Sequence, residues 1–195
     1  MSKIVITKKD MELIETVKKL KVITSSQIQR LFYSHKESQC RRCKQLVNNK
    51  KIKCYREGFG SEMIYYYKRK PTQQIKSMLT ISEMYVQIYE LSKELGFDIL
   101  DFQREYSIEI EPNFTIRPDA YLLISKDGIE SEFFIEVDNT KDFSSDKYFK
   151  AMKLGYFPPP IISVSNRKRI IYEGMDVIKI KFDLSNFKSI FPSLV

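Results

Sequence analysis

Apolar positions recur at helical spacing through the first quarter of the chain and then change period. Over residues 7–21, Met11, Leu13, Ile14, Val17 and Leu20 are three or four apart or adjacent, which predicts an amphipathic helix. Thr7 followed by Asp10 reads as a capping box, with Asp where Glu is more usual. Thr24-Ser25-Ser26-Gln27 repeats that start signal ahead of Ile28, Leu31 and Phe32 and predicts a second, shorter helix. The pattern breaks at Ser34 or His35 and resumes over 37–49. There Cys40, Cys43, Leu46 and Val47 form one apolar stripe, opposite Ser38, Arg41, Arg42, Gln45 and Asn49. Residues 51–56 alternate polar and apolar, Glu57-Gly58-Phe59-Gly60-Ser61 is a turn, and 63–67 returns as a second strand.

Pro71-Thr72-Gln73-Gln74 interrupts this hairpin and opens a short linker, 71–79, whose Ile75, Met78 and Leu79 already suit a helix start. A helical stripe of Ile81, Met84, Tyr85, Ile88, Leu91 and Leu95 follows and stops at Gly96. The period then shortens to two. Strands are predicted over 97–110, 116–125 and 132–137, with a turn at Ser125-Lys126-Asp127-Gly128. A helix over 146–155 ends at Gly155 and Pro158-Pro159-Pro160, and Ile161-Ile162-Ser163-Val164-Ser165 reads as a strand from a sheet centre. A strand over 175–182 and a C-terminal segment over 186–194 complete an α/β (α+β) order, helices packed on a small mixed sheet. Phe187, Ile190, Phe191 and Leu194 have a spacing that suits a homodimer contact and core packing equally.

Charge divides the chain in the same place. The net charge is +8, but residues 1–79 hold 19 Lys/Arg against 6 Asp/Glu, whereas residues 80–195 hold 14 against 19. A front carrying +13 calls for a polyanionic partner, because each phosphate neutralised releases counterions. No stretch approaches the ~18 apolar residues of a membrane span, and the N-terminus lacks a signal-like apolar core, so a cytoplasmic protein without membrane attachment is expected. The three cysteines, Cys40, Cys43 and Cys54, are odd in number and argue against a disulfide framework. With His35 they have the composition of a Cys3His zinc site, but Cys40 and Cys43 occupy stripe positions where a helix wants small hydrophobes, which favours core packing.

The candidate chemistry lies in 114–156. Asp119 sits in one apolar strand run, Glu136 and Asp138 in the next, and carboxylates among buried-looking residues need partners. Glu136 and Asp138, two apart on a strand, share a face.

Two resemblances join these observations. Residues 7–70 resemble a winged helix-turn-helix domain: three helices, the third with Arg-Arg and ending in Asn-Asn-Lys, then a hairpin wing. The resemblance implies that the third helix enters the major groove of double-stranded DNA. Ser38, Arg41, Arg42, Gln45 and Asn49 are then the contacts, with Lys53 and Arg56 tracking phosphates. The back half, with Pro118-Asp119 and Glu136-Val137-Asp138, resembles the PD-(D/E)xK nuclease superfamily. In that superfamily the Asp and Glu hold one or two Mg²⁺ ions and a Lys serves the attacking water. Here Asp138 stands where the Lys belongs. The resemblance therefore assigns Asp119, Glu136 and Asp138 as metal ligands if the site is functional, with Lys147 or Lys150 of the following helix as migrated lysines and Glu90 or Glu94 as the helix glutamate.

Taken together, a winged-helix front (1–70), a linker (71–79) and a nuclease-like back (80–195) with Arg-Pro-Asp-Ala-Tyr-Leu and Phe-Ile-Glu-Val-Asp-Asn-Thr resemble the replication-relaxation family. The resemblance implies a DNA-binding accessory factor of a plasmid or integrative conjugative element. It would act at an origin of transfer or replication beside a relaxase or replication initiator, its nuclease-like domain inactive. An active Mg²⁺-dependent endonuclease and a transcriptional regulator with a dimerising or sensing domain are the alternatives.

Overall fold

A computed structural model describes residues 4–138, 145–166 and 174–194. Asn139 and Thr140, the end of the Glu-Val-Asp-Asn-Thr run, lie outside the described residues. The protein is a mixed α/β chain, consistent with the α+β class, and divides into two compact units, 1–86 and 87–195.

The first unit opens with α1 (Lys8–Leu20), β1 (Val22–Thr24), α2 (Ser25–Phe32) and α3 (Lys36–Asn48). Both expected capping boxes are formed. The Thr7 hydroxyl accepts from the Asp10 N–H while Asp10 accepts from the Thr7 N–H at 2.7 Å, and Thr24 and Gln27 repeat the exchange. α1 buries Leu13, Val17 and Leu20, but Met11 points to solvent at 54% exposure. The hairpin β2 (Lys53–Tyr55) and β3 (Ile64–Tyr66) follows, and the three strands pair antiparallel in the order β1-β3-β2. α4 (Ile75–Leu95) starts inside the expected 71–79 linker and continues unbroken past the boundary between the units at Val86. On the first unit's side its Ser82 hydroxyl donates to the Val22 carbonyl at 2.6 Å. Glu83 accepts from Gln27 Nε2 at 3.0 Å and from Arg30 at 2.6 Å. Ile28, Cys43, Leu46, Ile52, Ile64, Ile81 and Met84 are buried in this unit. A fully buried side chain of this size contributes ~1.5–3 kcal/mol, which is what holds such short helices together.

The second unit contains β4 (Asp98–Arg104), β5 (Ile108–Glu111), β6 (Phe114–Ile116), β7 (Ala120–Lys126), β8 (Ile129–Asp138), α5 (Asp146–Lys153), β9 (Ile161–Ser165), β10 (Val177–Ile180) and α6 (Phe187–Ile190). The sheet order is β10-β9-β8-β7-β4, with β4, β7 and β8 antiparallel and β8, β9 and β10 parallel. The expected single strand over 97–110 is two: β4 enters this sheet, and β5 pairs with β6 in a separate ribbon. The strand expected over 116–125 is likewise divided between β6 and β7, with Pro118 between them. The β7–β8 turn uses Asp127 and Gly128, both at positive φ (53° and 81°), the geometry a two-residue hairpin requires.

Successive residues of β8 face opposite sides. Phe134 lies in a cluster with Ile116, Tyr148, Ala151 and Ile161, the side covered by α5, and Glu136 shares its face. On the other side Phe133 packs 6.3 Å from Phe191, which stacks on Phe187 at 5.0 Å. Phe187 and Phe191 are fully buried within the unit, so the C-terminal aromatic spacing is core packing.

Candidate functional site

In the second unit, Glu136 is 7% exposed and its Oε1 accepts two short bonds, from the Tyr148 hydroxyl and the Lys147 ammonium, each at 2.5 Å. Lys147 also donates to the Arg117 carbonyl at 2.9 Å. α5 delivers both partners from consecutive residues at its N-terminal end. Tyr148 inserts into the aromatic cluster, 6.1 Å from Phe134, while Lys147 reaches Glu136 on the central strand β8. Burial pushes the Glu136 carboxyl up; the Asp119 charge adds to this and Lys147 and Tyr148 oppose it. The Tyr148 phenol is pushed far up by burial and then by Glu136.

Asp119 precedes β7. Its Oδ2 accepts from the Val137 N–H at 2.8 Å, and its carbonyl accepts from the Glu105 N–H at 3.0 Å. Burial pushes this carboxyl up too, against the pull of the Val137 N–H, Lys147 and Arg104, and the Asp138 charge pushes it further. Asp138 is half-buried at the end of β8. Among the described residues no three His, Cys, Asp or Glu side chains group closely enough to hold a metal ion. Asp119, Glu136 and Asp138 are thus not gathered into the expected three-carboxylate set: one Asp119 oxygen is turned to a backbone N–H and one Glu136 oxygen to an ammonium and a phenol. Lys150 is also displaced from its expected place, its ammonium lying 4.2 Å from the Phe114 ring centre. Glu90 accepts a 3.4 Å ion pair from Lys188, and Glu94 is exposed. Of the expected catalytic lysines, Lys147 alone reaches the carboxylates.

In the first unit, α3 is rotated from its expected phase. Its inward residues are Gln39, Cys43 and Leu46, and Cys40 is exposed. Gln39, fully buried, accepts from the Ser25 hydroxyl at 3.1 Å and from Cys40 at 3.3 Å, and donates to Cys43 at 3.3 Å. A polar side chain with three partners is stable in the core, whereas a helical wheel counts it as surface. The burial of Cys43 pushes its thiol up to about 11.

The rotation redistributes the expected DNA contacts. Arg42 turns inward: Nε donates to Asp10 Oδ1 at 2.8 Å, a second nitrogen to Oδ2 and to the Val5 carbonyl, and the third to Gln45 Oε1 at 2.8 Å. Asn49 caps its own helix by donating to the Gln45 carbonyl at 2.9 Å, and Ser38 is half-buried. Arg42 is thus engaged within the protein, while Gln45 and Asn49 each make one side-chain bond there. Arg41 remains on the exposed face. On the hairpin Arg56 is exposed, and Lys53 is tied to the Lys68 carbonyl at 3.0 Å.

Lys36, Cys40, Lys44 and Val47 instead line a groove of about 720 Å³ to which the hairpin contributes Arg56, Gly60 and Glu62, and which Ser25 and Ser26 of α2 also line. The expected contact set leaves out Lys36 and Lys44 because it places the apolar stripe on Cys40. Their spacing of i, i+4 and i+8 with Cys40 was the available signal.

No protein-family model, curated protein or solved structure matches the chain. No helix among the described residues is long and apolar enough to cross a membrane.

Proposed function

We propose that the first unit is a winged helix-turn-helix that binds duplex DNA through the outer face of α3 and the β2–β3 hairpin. The second unit, on the same reading, is a PD-(D/E)xK-like scaffold that does not cleave. The observation that carries the reading is the groove lined by α3 and the hairpin, with Lys36 and Lys44 from the helix and Arg56 from the hairpin. Cations from two elements on one concave surface suit a phosphate backbone, and Arg41 on the adjoining helix face is free to meet a base edge or phosphate. The element order, three helices then a hairpin with β1 completing the sheet, is the order the winged helix-turn-helix resemblance implies.

For the second unit, the Lys147 and Tyr148 bonds to Glu136 support a structural polar cluster. A buried carboxylate with an ammonium and a phenol donor is satisfied without an ion. The replication-relaxation resemblance contributes the biological setting: an accessory factor of a plasmid or integrative conjugative element, at an origin of transfer or replication, partnering a relaxase or replication initiator.

A titration of a labelled duplex at low and moderate salt tests the first part. Affinity falling steeply with salt supports it, and absence of binding at low salt overturns it. Incubating the protein and plasmid with Mg²⁺ or Mn²⁺ tests the second. The endonuclease alternative has one observation in its favour, the arrival of Lys147 at Glu136 where Asp138 lacks the ammonium. Cleavage abolished by both Asp119→Ala and Glu136→Ala would establish it instead.

A further inference from the structure

Phe59 is the most exposed large apolar residue of the described chain, at 112% of its reference area. It stands at the tip of the β2–β3 hairpin between Gly58 and Gly60, and the Ser61 N–H closes the turn on the Gly58 carbonyl at 3.2 Å. Gly60 takes φ +79° while Phe59 keeps a negative φ, the pattern of a type II turn, which needs glycine in its third place. The turn is therefore well specified, and it holds the phenyl ring outward rather than against the strands. No folding argument explains a benzyl group there, because leaving it in water forgoes the burial free energy that a Phe usually contributes. Most of the hairpin's other exposed side chains are cationic: Arg56 before the turn and Lys68, Arg69 and Lys70 after β3. Glu57 is the exposed acid beside the tip, while Glu62 is engaged with the Ser26 N–H at the start of α2. Gly60 and Arg56 also line the groove that carries Lys36 and Lys44. A phosphate backbone held in that groove would lie next to the ring.

We propose that Phe59 is an aromatic wedge that stacks into a base step of the bound duplex, so that the protein deforms its DNA as well as holding it. This rests on the DNA-binding reading above. Apolar side chains inserted between bases partly unstack and kink the helix, and aromatic rings stack on bases irrespective of sequence. Pyrimidine–purine steps unstack most easily, so the wedge favours a TA or CA step at a fixed distance from the bases met by α3.

The chain contains no tryptophan, so Phe59→Trp places a single indole at the tip. A duplex titration of this variant, read by indole emission and its quenching by acrylamide, is the test. Stacking predicts emission quenched at saturation and the indole shielded from acrylamide. Phe59→Ala then weakens binding by about tenfold without changing its salt dependence. Arg56→Ala serves as the charge control, lowering the salt dependence while leaving the indole quenched at saturation. Duplex bound with indole emission and acrylamide access unchanged overturns the wedge and leaves the DNA-binding reading standing. An indole already shielded in DNA-free protein, with self-association removed by Phe59→Ala, overturns it in favour of a contact between copies. No duplex bound by the parent protein overturns both.

Discussion

Arg42 of α3 grips Asp10 of α1 side-on, Nε on Oδ1 at 2.8 Å and a terminal nitrogen on Oδ2. Asp10 is 1% exposed and simultaneously caps α1, so one carboxylate fixes the start of one helix and the rotation of another. The same guanidinium takes the Val5 carbonyl at 2.7 Å and the Gln45 side chain. With every nitrogen engaged, the planar fork orients its helix rather than reaching out toward a base.

Arg42→Ala should accordingly be a stability variant. Removing one partner leaves the Asp10 carboxylate buried without its counter-charge, a loss of about 3 kcal/mol, and Arg42→Lys should restore little because it cannot make the side-on pair. Urea denaturation measures the loss. If the variant instead keeps its midpoint and loses only duplex affinity, Arg42 belongs to the DNA surface.

The two units should respond to acid with opposite sign. The Arg42 bonds hold the Asp10 carboxyl down at about 2, so its contribution is present above the ordinary Asp value and is lost as pH falls toward 2. Burial raises the Asp119 and Glu136 carboxyls, so their contribution is complete below the ordinary carboxylate range and is lost as pH rises through the raised values. Hydrogen exchange followed as the pH is lowered from neutral should show protection in β8 and α5 rising while that of α1 stays level. Below about pH 4 α1 should loosen first. Glu136→Gln should flatten the response of the second unit.

Much of the fold was legible because its signals are local. The Thr7/Asp10 and Thr24/Gln27 boxes mark two helix starts through bonds made within four residues, and Asp127-Gly128 marks a hairpin through backbone preference alone. Asp119 and Glu136 were found because charge in an apolar strand is conspicuous. The phase of α3 was hidden by a tertiary exchange: Gln39 goes inward to meet Ser25 and Cys43, and Arg42 follows to meet Asp10, contacts that no periodicity encodes. The choice of Lys147 over Lys150 was hidden similarly. Both lie on α5, and only its docking, with Tyr148 buried at Phe134, decides which ammonium meets the sheet.

That docking predicts a coupled pair. Lys147→Met should destabilise the second unit by about 2 kcal/mol, less than a fully buried pair would lose because the ammonium is partly exposed. Adding Glu136→Gln should recover most of the loss, since the amide still accepts from the Tyr148 hydroxyl and leaves no buried charge. A double-mutant cycle giving a coupling of about 1 kcal/mol or more bears this out, and additive losses would dissolve the pair.

On α3, charge should separate the contact face from the packed one. Arg41→Ala and Lys44→Ala should each lower duplex affinity and reduce the slope of log K against log salt by about one. Asn49→Ala should leave that slope alone and cost about 0.5–1 kcal/mol through the lost C-terminal bond. Filter-binding or anisotropy titrations over a salt series read both effects. An unchanged slope in the two cation variants would move the phosphate contacts off this helix.

The cysteines offer a footprint of the same surface that requires no knowledge of the DNA sequence. Cys40 is exposed in the groove between Lys36 and Lys44, whereas Cys43 is buried with its thiol pushed up to about 11, and Cys54 is half-buried with its thiol also pushed up. Reaction needs an accessible thiolate, so a maleimide at neutral pH should modify Cys40 quickly, Cys54 slowly, and Cys43 only on unfolding. Saturating duplex should slow the fast phase by about fivefold or more, since a backbone seated in the groove covers the sulfur. Cys40→Ser should remove the fast phase with little effect on stability. Cys43→Ser should keep the fast phase and lower the denaturation midpoint, because the hydroxyl takes the place of a sulfur packed in the core. A fast phase indifferent to duplex that is demonstrably bound would mean that DNA lies on another face, and the α3 groove would no longer be its site.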